Sequence, residues 1–148
     1  MSVSSDATIC ALDVGDKRIG MAQANVIALF PQPCAVIAHD DTVIERLTEL
    51  LRTHHAIALV IGLPRSLQGD DTAQTESVHH FISRVRSSVP SLPLYLQDEA
   101  GTTKQAEEEL AQRKSPARAD PRSSKDALAA SYILEDFIQE GKHNELLS

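Results

Sequence analysis

Five consecutive apolar residues, Ile57-Ala58-Leu59-Val60-Ile61, restrict this chain more than any other feature. They show no alternation, and Gly62-Leu63-Pro64 closes the run after them. A strand exposed on one face alternates apolar and polar residues, so an unbroken run is expected of a central strand buried on both faces. Such a sheet needs helices above and below it, and the flanking segments have the period to supply them. Thr42 and Glu45 fit a capping box ahead of a helix whose stripe is Val43, Ile44, Leu47, Leu50 and Leu51. A second helix is expected from about Asp71-Thr72, with Val78, Phe81, Ile82 and Val85 inward.

Upstream the period is different. Thr8–Val14, Ile19–Phe30 and Cys34–Ala38 read as three strands, the first two joined by the tight Gly15-Asp16-Lys17-Arg18 connection. Downstream, Leu94–Leu96 reads as a fifth strand ending at Asp98-Glu99. A third helix is expected from Thr102 to about Lys114. A last helix, capped by Ser123 or Ser124, has Ala127, Ala130, Leu134, Phe137 and Ile138 as its apolar face. Three strands in a meander, then helices alternating with strands, predict a single α/β domain over residues 1–148, with residues 1–6 and about 141–148 flexible.

Composition narrows the setting. At 148 residues, 42% apolar and 24% charged, the chain has what one buried core needs. Aromatics are only 3% and Trp is absent, so that core is built from Leu, Ile, Val and Ala. The sequence contains neither a run of membrane-spanning length nor a secretory leader pattern, and Cys10 and Cys34 read as buried thiols, so a cytoplasmic setting is expected. The net charge of −7 argues against non-specific coating of nucleic acid. Gln112–Lys125 departs from that balance, because Arg113, Lys114, Arg118, Arg122 and Lys125 face a single acid, Asp120. With Lys17 and Arg18 it is a candidate contact for phosphates, and a solvated loop fits the charge equally well.

Three acids stand out by position: Asp13 at the end of the first strand, Glu99 after the fifth, and Asp126 in the first turn of the last helix. Ile9, Ala11 and Asp13 share one face of their strand, so Asp13 points where apolar side chains also point. Sites in open α/β sheets form beyond the carboxyl ends of parallel strands, where Asp13 and Glu99 lie. If the last helix packs across those ends, three carboxylates converge. Two unit charges about 4 Å apart repel by roughly 4 kcal/mol at an effective dielectric of 20. Divalent cations relieve that repulsion, and hard oxygen donors suit Mg²⁺ or Mn²⁺. Two such ions support phosphodiester cleavage by activating water and stabilising the leaving oxygen.

These residues also carry a resemblance. Asp13-x-Gly15-x-Lys17-Arg18-Ile19-Gly20, Gly62-Leu63-Pro64 with Gly69, Asp98-Glu99 with Thr102-Thr103, and Lys125-Asp126-x-x-Ala129-Ala130 resemble, in order, the motifs of the YqgF/RuvX family. The similarity runs from about Ile9 to Phe137. That family was described first as Holliday-junction resolvases and is now regarded mostly as pre-16S rRNA nucleases. The resemblance implies an RNase H-like α/β fold. Its five-stranded mixed sheet would have strands 1–3 as an antiparallel meander and strands 4 and 5 parallel to strand 1. It implies that Asp13, Glu99 and Asp126 bind the catalytic Mg²⁺ or Mn²⁺ ions, and that Lys17, Arg18 and the basic segment hold the nucleic-acid backbone. The implied partner is a ribosomal RNA precursor or branched DNA, with a dimer expected for junction resolution. One departure stands out: Ala100-Gly101 occupies the place of the family's Arg-Leu, removing a group that binds phosphate or orients a carboxylate.

Two other readings fit parts of the sequence. D-x-G turns also occur in actin- and sugar-kinase-like ATPases, which need a second domain of this kind around the nucleotide. A non-catalytic nucleic-acid-binding module suits the net acidity but gives no reason for carboxylates facing phosphates. His54-His55 and His79-His80 suggest zinc, yet neighbouring helical residues point about 100° apart, so surface or helix-end histidines are expected.

Overall fold

Alternation along the first strand decides which side chains meet which helices. The computed structural model describes residues 6–63, 73–98, 125–140 and 145–147. Strand β1 (Thr8–Val14) pairs antiparallel with β2 (Arg18–Asn25), and β2 antiparallel with β3 (Gln32–Ala38). Strand β4 (Ala56–Leu63) lies parallel to β1, and β5 (Leu94–Asp98) parallel to β4. This is the mixed sheet the sequence predicts. A short β6 (Glu145–Leu147) adds antiparallel to β5, completing the order β3-β2-β1-β4-β5-β6. Three residues carry too little periodicity to mark that strand in the sequence.

Cys10, Leu12 and Val14 of β1 face one core, which they share with Leu59 and Ile61 of β4. That core is covered by α1 (Val43–Thr53) and α2 (Ala73–Ser88), through Val43, Leu47 and Leu51 of the first and Val78, Phe81, Ile82 and Val85 of the second. Ala11 and Val60 face the opposite way, into a second core closed by Ala130, Ile133 and Leu134 of α3 (Lys125–Glu140). Leu59, Val60 and Ile61 are all fully buried, which explains the absence of alternation there. Ile57, at the entry to β4, remains 42% exposed. Among the described residues no helix is long and apolar enough to cross a membrane.

Three local expectations are corrected. The second strand, expected over Ile19–Phe30, ends at Asn25. There the Asn25 carboxamide oxygen accepts from the backbone N–H of Ile27 (2.8 Å) and Ala28 (3.1 Å), and its carbonyl accepts from Leu29 N–H. This Asx-type turn takes the chain out of the ladder with Leu29 at φ 53°, and leaves Ile27 and Phe30 exposed. The third strand starts at Gln32 rather than Cys34, because an edge strand tolerates Pro33. A register shift places Ala35 opposite Met21 and Pro33 opposite Ala22, with Cys34 as the bulge between. Finally, Thr42 does not close a capping box. Its hydroxyl donates to the Asp40 carboxylate at 2.7 Å, and the same oxygen accepts the Thr42 N–H, which holds Asp40 below the usual carboxylate pKa range.

Candidate active site

The β1–β2 turn is held from two sides. Gly15 N–H donates to the Arg18 carbonyl at 2.9 Å, and a side chain on Gly15 would come within 2.7 Å of that oxygen. Glycine is required there by the close approach of backbone. From the α1–α2 side, the His39 N–H donates to the Lys17 carbonyl at 2.9 Å and its Nδ1–H to the Gly15 carbonyl at 2.7 Å. The His39 ring meets Phe81 edge-on, with centroids 5.3 Å apart. The turn that follows Asp13 is thus tied to the first core, while Lys17 and Arg18 remain exposed.

Asp13 sits half-buried one rung before that turn, paired across the sheet with Gly20. It shares a face with Ile9 and Ala11, the face that α3 covers. Along β2 that face is Gly20, Ala22 and Ala24, a stripe of minimal side chains that lets the helix come close. At Gly20 the approach is so close that an added Cβ would collide with the carbonyl of Asp126 and lie 2.6 Å from Ala127 N. The first turn of α3 therefore rests on the backbone of the residue opposite Asp13. Two carboxylates distant in sequence are brought to one end of one face.

Asp126 is 19% exposed, and its Oδ2 accepts from Arg18 Nε at 3.0 Å. The start of a helix favours an acid there, because the unpaired N–H groups and the helix dipole present positive potential. Arg18, with 58% of its side chain exposed, supplies a full charge as well. Gly62 and Gln97, one residue beyond the paired Ile61 and Leu96, complete the level of the sheet at which Asp13 stands, and Gln97 is buried. Glu99, the Ala100-Gly101 pair, Thr102, the third helix and the basic residues Arg113, Lys114, Arg118 and Arg122 lie outside the described residues. So do Gly69 and the Ser123-Ser124 cap. Lys125 opens α3 and is exposed.

The donor set suits a divalent cation. Asp13 and Asp126 offer hard carboxylate oxygens, both half-buried, and Asp126 already takes a positive group at hydrogen-bond distance, while among the described residues no third His, Cys, Asp or Glu joins them in a metal-holding cluster. Glu99 would be the third donor by its place in the sequence. The histidine pairs lie elsewhere: His54 and His55 close α1, where His54's carbonyl accepts from the Thr8 hydroxyl, and His79 and His80 are exposed on α2.

Two residues receive their positioning role only from the structure: Gly20, quoted in the sequence motif without one, and His39. A glycine inside a strand is a known mark of close backbone approach, so Gly20 carried a signal. His39 carried none, since its partner lies 24 residues away.

Comparison with known proteins supplies the context. The family described as "RuvX: Holliday junction resolvase" matches residues 7–140. A Roseiflexus protein named "Putative pre-16S rRNA nuclease" is 33% identical over 137 residues, covering 91% of this chain and 96% of its own length. A Rickettsia typhi protein of the same name is 36% identical over 129 residues, covering 86% of this chain and 81% of its own. Among solved structures, T. thermophilus RuvC in complex with Holliday junction substrate superposes with a TM-score of 0.58 at 16% identity, over 95% of this chain and 99% of that one. Fowlpox virus resolvase in complex with Holliday junction DNA gives 0.52 at 12% identity, over 90% and 97%. At such identities the structural likeness is one of fold.

Proposed function

Since this chain belongs to the RuvX family of Holliday junction resolvases, we propose that it is a metal-dependent endonuclease that hydrolyses phosphodiester bonds in the 5′-end processing of pre-16S rRNA. The observation that carries the reading is the seat of α3 on Gly20, which sets Asp126 beside the strand pair that holds Asp13. Two carboxylates at a site for polyanionic nucleic acid repel their substrate unless cations intervene. Asp13, Asp126 and Glu99 would hold Mg²⁺ or Mn²⁺, which supplies an activated water and stabilises the leaving oxygen. The protein's own part is placement. The His39 tether fixes the turn behind Asp13, and the Ala-lined face fixes the helix that carries Asp126. Lys17, Arg18, Lys125 and the basic segment Arg113, Lys114, Arg118 and Arg122 hold the backbone of the strand through its phosphates.

The test is cleavage of a 5′-extended pre-16S rRNA fragment with Mg²⁺ or Mn²⁺, alongside Asp13→Asn and Asp126→Asn. A four-way DNA junction is run in parallel, because the family description names that substrate. Cleavage of the RNA, lowered at least about 100-fold by either substitution, is expected. Preference for the junction would move the function to DNA resolution, with a dimer then expected. Metal binding without cleavage of either substrate would refute the nuclease reading.

A further inference from the structure

The contact between Arg18 and Asp126 raises a question about sequence of events. Asp126 Oδ2 accepts from Arg18 Nε at 3.0 Å, and a carboxylate engaged by a guanidinium is not fully available to a metal ion. The Arg18 charge also repels any divalent cation that approaches the same oxygen. Yet the bond is built to be given up. Arg18 is 58% exposed, and among the described residues the contact runs through Nε rather than through the two-pronged fork that makes arginine–carboxylate pairs strong. Its backbone, by contrast, is fixed: the carbonyl accepts from Gly15 N–H, and the residue pairs with Ala38 in the sheet. The side chain can leave without disturbing the turn.

We propose that Arg18 is a placeholder cation for the carboxylate site, holding Asp126 in the metal-free protein and yielding it when the metal enters. Displaced, the guanidinium stands exposed beside Lys17 at the turn between β1 and β2, where a phosphate of the bound strand would meet it. Metal loading and strand binding are then coupled through one side chain, and the coupling is reciprocal, so a bound strand also raises metal affinity. This inference deepens the metal-nuclease reading and rests on it.

The experiment is a calorimetric titration of Mn²⁺ into the native protein, Arg18→Gln and Asp126→Asn, with the Arg18 Nε–H followed by NMR as Mg²⁺ is added. Arg18→Gln is expected to bind Mn²⁺ about 2- to 5-fold more tightly, the range set by removing an exposed ion pair. The Arg18 Nε–H signal is expected to move toward that of a solvated guanidinium as Mg²⁺ saturates, and to show no such Mg²⁺-dependent movement in Asp126→Asn, whose carboxamide oxygen can keep the bond but has lost the charge that holds the metal. Equal or weaker Mn²⁺ binding by Arg18→Gln would overturn the placeholder role and make Arg18 a clamp that orients Asp126. A signal unmoved by saturating Mg²⁺ would overturn it too. Native protein that binds no Mn²⁺, or Asp126→Asn that binds it undiminished, would instead refute the metal site beneath the proposal, and the proposal with it.

Discussion

Replacing Gly20 by alanine adds one methyl group at the point where α3 rests on the sheet. That carbon would overlap the carbonyl carbon and oxygen of Asp126 and stand 2.6 Å from Ala127 N. All of these atoms are backbone, so no side chain can swing aside to make room. The first turn of α3 must withdraw by on the order of 1 Å to restore a carbon contact near 3.5 Å. Overpacking of this kind costs about 1–3 kcal/mol. In a chain of this length that lowers Tm by about 2–10 °C. The same displacement carries Asp126 away from Asp13, and a shift of about 1 Å at reacting groups costs roughly 100-fold in rate. Thermal unfolding followed by circular dichroism gives the first quantity. Cleavage measured well below Tm, where the variant remains folded, gives the second. Gly20→Ala with an unchanged Tm and cleavage within about twofold of native would refute the argument that this close approach positions the site.

Phe81→Ala should cost about 3–5 kcal/mol, since Phe81 is 1% exposed, and by removing the ring against His39 it should also slow cleavage; denaturant unfolding and initial rates check both. Burial pushes the Cys10 thiol up to about 11, so both thiols, Cys34 being held higher still, should resist alkylation at pH 8 in the native protein. For the same reason the folded state keeps the Cys10 proton longer than the unfolded chain does. Its stabilisation is complete below pH 9 and is lost between about pH 9 and 11, by about 2–3 kcal/mol, a fall that Cys10→Ala should lessen in pH-dependent unfolding. His55 follows the end of α1 at φ 54°, a position that favours glycine, so His55→Gly should raise stability by about 0.5–1 kcal/mol despite losing an exposed contact to Asp6.

What could be read in the sequence was whatever depends on period. The unbroken run at Ile57–Ile61 announced a doubly covered strand because Leu59 and Val60 face opposite cores. The alternation Ile9-Ala11-Asp13 announced a carboxylate on a packing face, and Asp13 lies on the face that α3 covers. Local polar chemistry was less legible. Asn25 ends a strand that apolar pattern alone would carry to Phe30, and Asp40 draws Thr42 away from the cap its spacing suggested. Long-range polar partners were not legible at all. The His39–Gly15 bond and the Arg18–Asp126 pair join elements whose proximity exists only after the sheet has formed. Charge and residue type nominate such groups, but their partners are chosen by topology.

The separation of Arg18 and Asp126 by 108 residues has a consequence for the life of the molecule. The strand pair that carries Asp13 is synthesised before α3, with α1, β4, α2 and β5 between them. Until α3 docks, the alanine stripe of β2 lies bare and Asp126 has not yet met the strand pair that carries Asp13. A nascent chain, growing at about 5–20 residues per second, thus holds Asp13 for roughly 5–20 s before the helix that carries Asp126 exists. On the proposed reading, the two carboxylates of the nuclease cannot meet beside the RNA-rich machine that makes it until α3 has emerged and docked.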